Sequence, residues 1–261
     1  MKSIIAPALL AMAIATTAAA VDKPTIALVH GEFESAIVWK QVGDKLRADG
    51  YPVIAITLPG RDGAILSFER LSLGLYANTV IGAIGQEAQP VILVGHSFGA
   101  MTVSAVAEAA PDKIRKLVYL AAYVPADGDS WLGMARRDGA SALQPHLVLD
   151  HARNFASVEH AARADLFAND GAEPFRRALP ELMVEEPLSP MTEAIHLSAA
   201  RFGRVDKVFI HTANDRVVSP AMQAATAAAA KIGTGFTLAT GHTPFVTDVA
   251  GLVDAVEQAA R

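Results

Sequence analysis

The run Val91-Ile92-Leu93-Val94 stops at Gly95-His96-Ser97-Phe98-Gly99, and an alanine-rich stretch follows at once. Four aliphatic residues, β-branched in part and bounded by Pro90 and Gly95, suit a short strand buried on both faces. Residues 98 to 110 suit a helix. A chain that turns from strand to helix within so few residues holds its apex residue in a strained backbone, crowded by the positions two before and two after. Glycines at 95 and 99 relieve the crowding. Such a G-x-S-x-G turn lifts a serine oxygen above the strand ends, at the start of a helix, where it can act as a nucleophile. A glycine-serine turn that only links the two elements would carry the same five residues, so the partners of Ser97 decide the reading.

Past residue 21 the chain alternates short apolar runs with longer amphipathic segments. Strands are predicted at Thr25–Val29, Pro52–Thr57, Val91–Val94, Lys116–Ala121, Lys207–His211 and Gly235–Ala239, and helices over 36–49, 72–87, 98–110, 219–232 and 244–260. This alternation predicts an α/β fold with a mostly parallel central sheet flanked by helices. The exception is the stretch from about Pro125 to Pro190, which is rich in proline and charge and has no convincing buried strand. It reads as a helical lid inserted over the strand ends. Its aromatics, among them Trp131 and Phe155, are candidates for lining a substrate pocket, although each also suits the core of the lid.

A serine alcohol is a poor nucleophile without a histidine base and a carboxylate that fixes the histidine tautomer. In a fold of this kind the chain order is serine, acid, histidine. His242, in the loop Gly241-His242-Thr243-Pro244-Phe245 after the last strand, can drop onto the turn at Ser97. His96 is too local to do so. Asp215 follows the strand Lys207–His211, on the side of the sheet where ligands bind. An Asx turn or a helix cap would place an acid there too, and Asp127 is the rival. An oxyanion hole needs two backbone N–H groups, one from Phe98 and one from the loop after the first strand, where Glu32 is the expected donor. Phe33 and Phe245 are further candidates for contact with substrate. His30, at the end of the first strand, reads as a structural histidine bonded to the loop backbone.

The N-terminus supplies Lys2, an apolar stretch from Ile4 to Ile14, and Ala18-Ala19-Ala20 before Val21. Residues 1–20 therefore read as a secretory signal peptide cleaved after Ala20, which would leave residues 21–261 as one domain in the periplasm or outside the cell, with no membrane span. At 261 residues and 52% hydrophobic content the chain can bury one large core. A net charge of −5 with no basic block argues against nucleic acid as a partner. The chain has no cysteine, hence no disulfide, thiolate nucleophile or cysteine metal site. No feature specifies an oligomer.

The segments VHGEFESAIVW, GYPVIAITLPG, VILVGHSFGAM, LVYLAAYVPADGDS, RFGRVDKVFIHTANDRVVSPAMQ and GHTPFV, in that order, resemble the α/β-hydrolase superfamily. Within it the chain is similar to the branch of plant methylesterases, hydroxynitrile lyases and bacterial pyrethroid-type carboxylesterases. The resemblance covers nearly all of residues 24 to 260 and is weakest in the lid. It implies a hydrolase of small carboxylic esters that uses no cofactor and no metal, with Ser97, Asp215 and His242 on the nucleophile, acid and base and Glu32 and Phe98 on the oxyanion donors. An amidase, a lactonase or a non-catalytic ligand-binding protein would keep the same scaffold. Lyases of the branch carry a lysine after the catalytic histidine and a threonine after the first-strand histidine, and here those positions are Thr243 and Gly31.

Glu32 departs from the family, where a small uncharged residue is usual. An inward carboxylate ~6 Å from an oxyanion, at an effective dielectric of ~20, would oppose it by roughly 3 kcal/mol, about a hundredfold in rate. The expectation is a side chain turned outward or held by a loop N–H or an arginine, with only the Glu32 backbone serving the hole; the competing view is an inward carboxylate that selects cationic substrates or acts directly in the chemistry.

Overall fold

A computed structural model describes residues 23–61 and 71–261. The proposed signal peptide and its cleavage point lie outside the described residues. The strands are β1 (Ile26–Val29), β2 (Val53–Ile56), β3 (Val91–His96), β4 (Ile114–Leu120), β5 (Leu147–Asp150), β6 (Phe155–Val158), β7 (Glu186–Pro187), β8 (Lys207–Thr212) and β9 (Thr234–Leu238). Six of them form one sheet in the order β2-β1-β3-β4-β8-β9. Every pairing in it is parallel.

The helices are α1 (Lys40–Ala48), α2 (Leu73–Ile84), α3 (Gly99–Ala109), α4 (Trp131–Arg137), α5 (Arg163–Phe167), α6 (Glu173–Leu182), α7 (Leu188–Thr192), α8 (Pro220–Ala229), α9 (Pro244–Thr247) and α10 (Val249–Ala260). Alternate strand residues serve opposite cores. Ala27, Val29, Leu93, Leu117 and Tyr119 pack on the side of α2 and α3. Ile26, Leu28, Ile92, Val94 and Val118 pack with residues of α1 and α10. Both faces of β3 are thereby dry, which is why its sequence is apolar without alternation.

The stretch 36–49 opens as a 3-10 turn at Ala36–Trp39 before α1, and 244–260 divides at Asp248. Asp248 closes one short helix and caps the next, its carboxylate accepting the Gly251 N–H at 3.0 Å. At the strand-to-helix turn Ser97 sits at φ +49°, the strained geometry that the turn demands. A Cβ at Gly95 would come within 2.8 Å of the Gly99 carbonyl oxygen, and one at Gly99 within 2.6 Å of the His30 carbonyl oxygen. Both glycines are required by close backbone approach.

The lid differs from the expected helical insertion. Between β4 and β8 it carries α4 to α7 and also a three-stranded antiparallel sheet, β5-β6-β7. Phe155 belongs to that sheet, paired with Asp150 and Pro187 and stacked under the Arg153 guanidinium at 4.3 Å. It is part of the lid's own packing rather than the pocket lining. The lid is fastened by Glu186, which takes the Phe33 N–H at 3.0 Å and pairs with Arg61. Both of these charged side chains are fully buried. Burial raises the Glu186 carboxyl to about 6 against the pull of Arg61. Among the described residues no helix is long and apolar enough to cross a membrane.

Candidate active site

The functional side chains come from four loops at the carboxyl ends of parallel strands, and the sheet brings those ends together. His30 follows β1, Ser97 follows β3, Asp215 follows β8 and His242 follows β9. The Ser97 hydroxyl lies 3.0 Å from His242 Nε2, and His242 Nδ1 lies 2.9 Å from Asp215 Oδ2. Ser97, Asp215 and His242 are all buried.

Asp215 is held from every side. Oδ1 accepts the Val217 and Val218 N–H groups at 2.8 and 3.0 Å. Oδ2 accepts from Thr212 Oγ1 at 2.8 Å and Gln223 Nε2 at 3.2 Å. The rival, Asp127, is exposed, accepts the Leu197 N–H and lies 3.5 Å from His196, so it takes no part in this group. Burial alone would depress the His242 pKa, but Asp215, with smaller contributions from Glu32 and Glu34, outweighs it and raises the pKa above the ordinary histidine value.

Two other histidines brace the site. His30 Nδ1 donates to the Gly31 carbonyl at 2.8 Å, and Nε2 accepts the Leu58 N–H at 3.0 Å. Burial, aided by Arg61, lowers its pKa to about 4, which keeps the ring neutral in the structural role expected for it. His96 is a positioning residue that the sequence reading passed over. Its Nε2 donates to the His242 carbonyl at 2.9 Å while Nδ1 faces Glu34 at 3.2 Å. The adjacency of His96 to Ser97 was the available signal, because a residue beside the apex must pack against the loop that meets it. A Cβ at Gly31 would fall 2.8 Å from His96 Nδ1, so the threonine of the lyases would crowd this bracing pair.

Glu32 overturns the outward expectation. Its side chain is buried, Oε1 accepts from Ser97 Oγ at 3.1 Å, and Oε2 accepts the Phe98 N–H at 2.9 Å. The carboxylate thus occupies the donor intended for an oxyanion. The physical reason is local: the Phe98 N–H and the Ser97 hydroxyl are buried donors, and the carboxylate on the neighbouring loop lies within hydrogen-bond reach of both.

A cavity of about 370 Å³ lies beside the base, lined by Phe33, Glu34, Phe167, Met183, Phe245 and others. Phe33 meets Phe167 edge to face at 6.2 Å, and Phe167 packs on His242 at 5.5 Å. Ile37 and Leu182 also line it and are 71% and 66% exposed, so its outer part presents apolar surface to solvent. Phe33 and Phe245 therefore face the cavity. Trp131 lies elsewhere, buried against Phe98 and Tyr123 at 6.3 and 6.4 Å. Among the described residues no cluster of histidine, aspartate and glutamate could hold a metal ion.

A model described as the alpha/beta hydrolase family matches residues 26–255. A carbendazim hydrolyzing esterase from Nocardioides sp. (strain SG-4G) is 36% identical over 140 residues, which cover 53% of this chain and 54% of that protein. The chain spans only about half to three-fifths of the length of this esterase and of two plant methylesterase-like relatives from Arabidopsis thaliana. The crystal structure of a pyrethroid hydrolase from Sphingobium faniae JZ-2 superposes with a TM-score of 0.79 at 19% identity, covering 91% of this chain and 97% of that one. Polyneuridine aldehyde esterase gives a TM-score of 0.82 at 16% identity, covering 92% of this chain and 100% of that one. At these identities the two superpositions are a likeness of fold.

Proposed function

Since this chain belongs to the alpha/beta hydrolase family, we propose that it hydrolyses carboxylic esters through an acyl-enzyme on Ser97. The observation that carries the reading is the contact chain from Ser97 Oγ through His242 to Asp215, at 3.0 and 2.9 Å, on a strained strand-to-helix turn. His242 takes the Ser97 proton as the hydroxyl attacks the ester carbonyl, and returns it to the leaving alcohol. Water then repeats the sequence to release the acid. Asp215 holds the imidazole with its Nδ1–H toward the carboxylate, so that Nε2 is free to accept. The apolar cavity beside His242 suits the hydrophobic part of an ester. The esterase relative from Nocardioides supports the choice of bond.

This route needs the carbonyl oxygen on the Phe98 N–H, where the Glu32 carboxylate rests. If the carboxylate stayed ~4 Å from the oxyanion, the repulsion at an effective dielectric of ~20 would be about 4 kcal/mol. That is about a thousandfold in rate, so the carboxylate must leave the hole or meet a compensating charge.

The direct experiment is labelling with a fluorophosphonate probe, followed by peptide mass analysis. Stoichiometric, time-dependent modification of Ser97 is the expected result, and an unlabelled serine in folded protein would overturn the acyl-enzyme. Export is proposed on the sequence of residues 1–20 alone. Intact mass of material from the exported fraction is expected to begin at Val21, and a species that retains Met1 in the cytosol would overturn it.

A further inference from the structure

The buried carboxylates of this protein differ in what holds them. Asp215 has backbone, threonine and glutamine donors of its own. Asp138 accepts from Tyr123 Oη and from both the N–H and the hydroxyl of Ser219. Glu186 has Arg61 and the Phe33 N–H. Glu32 is held by the Ser97 hydroxyl and the Phe98 N–H. Those are the two groups that the reaction itself must use, and no ion pair accompanies them among the described residues. A carboxylate buried on borrowed donors costs stability, and a rearrangement that brings a cation to it recovers that cost.

The charge around it points the same way. Among the described residues Glu32, Asp138, Glu186 and Asp215 are buried together with Arg61, which is already committed to Glu186, and with the histidines His30, His96 and His242. This excess of buried carboxylates favours a cationic group over an anionic one beside Glu32.

We propose that Glu32 is a specificity-determining residue that selects esters whose acyl α-carbon carries a protonated amine. The proposal rests on the esterase reading and names its substrate class. In an α-amino acyl ester the ammonium can eclipse the carbonyl, which puts its N–H groups beside the carbonyl oxygen. When that oxygen takes the Phe98 N–H, the displaced carboxylate needs to shift by about one hydrogen bond to meet the ammonium. The cation then lies between the carboxylate and the developing oxyanion and offsets their repulsion. A simple acyl ester displaces the same carboxylate and leaves it without a partner.

The test compares L-alanine methyl ester with methyl propionate at pH 6.5, where the amine is largely protonated, in wild type, Glu32→Gln, Glu32→Ala and Ser97→Ala. Wild type is expected to favour the alanine ester by at least ~10-fold in kcat/KM, and Glu32→Gln to lower that ratio by at least ~20-fold, with loss on the cationic ester and gain on the neutral one. A wild-type preference for the neutral ester, or a Glu32→Ala that accelerates both esters alike, would make the carboxylate a plug and overturn the proposal. A second measurement needs no variant at position 32: L-alaninamide is expected to protect wild-type Ser97 from the fluorophosphonate at a concentration at least ~10-fold lower than propionamide. Equal protection would overturn it. Turnover that persists in Ser97→Ala would sink the esterase reading instead, whereas turnover lost in Ser97→Ala with an unmoved ratio would sink only the role of Glu32.

Discussion

Ser97→Ala is expected to lower kcat for ester hydrolysis by at least ~10³-fold, because the members of a nucleophile-base-acid group act as a unit. The hydroxyl has a single hydrogen and two buried acceptors, His242 Nε2 at 3.0 Å and Glu32 Oε1 at 3.1 Å. Only the population that donates to His242 can react. The substitution removes the covalent route and both contacts, while β3, α3 and the glycines that permit their approach are untouched. The carboxylate oxygen left behind costs roughly 1–3 kcal/mol or somewhat more, because the group is charged, but Oε2 keeps the Phe98 N–H, and the variant is expected to remain folded at assay temperature. The check is a pair of measurements on one preparation: steady-state turnover of a p-nitrophenyl ester, and thermal unfolding by circular dichroism. Turnover near the wild-type rate would remove Ser97 from the chemistry. Turnover lost together with the fold would leave the loss without a chemical meaning, and the probe-labelled wild type would then decide.

The parallel sheet, the strained turn and the order of the three loops were legible in the sequence because each rests on a strong local cause. Val91 to Val94 read as a strand buried on both faces, and β3 is one. Gly95 and Gly99 read as relief of crowding, and both lie where a Cβ would strike backbone. The small lid sheet was not legible. Its strands have four, four and two residues, and the last is Glu186-Pro187, a pair that no strand propensity favours. That pair is extended because Glu186 reaches back to Phe33 and Arg61, a tertiary reason that local sequence does not carry. The error over Glu32 is of another kind. An oxyanion exists only during reaction, whereas the Phe98 N–H and the Ser97 hydroxyl are permanent donors within reach of the Glu32 carboxylate. The same two donors that make a good oxyanion hole make a good carboxylate site.

Asp215→Asn is expected to reduce kcat by about 10⁴-fold, and Asp127→Asn to leave it within about threefold of wild type. Both oxygens of Asp215 face donors and nothing else. Oδ1 meets two backbone N–H groups, and Oδ2 meets Thr212, Gln223 and His242 Nδ1. An asparagine has one acceptor oxygen. The two backbone N–H groups claim it, because an amide NH₂ placed there would oppose both, and the NH₂ then points at His242. The imidazole must present an unprotonated Nδ1 to that donor, which moves its hydrogen to Nε2, the nitrogen that has to receive the proton of Ser97. The pH profile separates this tautomer effect from simple unfolding. In the wild type kcat/KM rises with pH as His242 loses its proton, and Asp215 holds that pKa above the ordinary histidine value. Removal of the charge lets the base become neutral at lower pH, so the ascending limb of the residual activity should move downward in pH. Asp127 binds the Leu197 N–H on an exposed loop, where an asparagine oxygen serves as well, and neither the rate nor the limb should move. A larger loss at Asp127 than at Asp215, or a limb that stays in place in Asp215→Asn despite the loss of rate, would take the acid role away from Asp215.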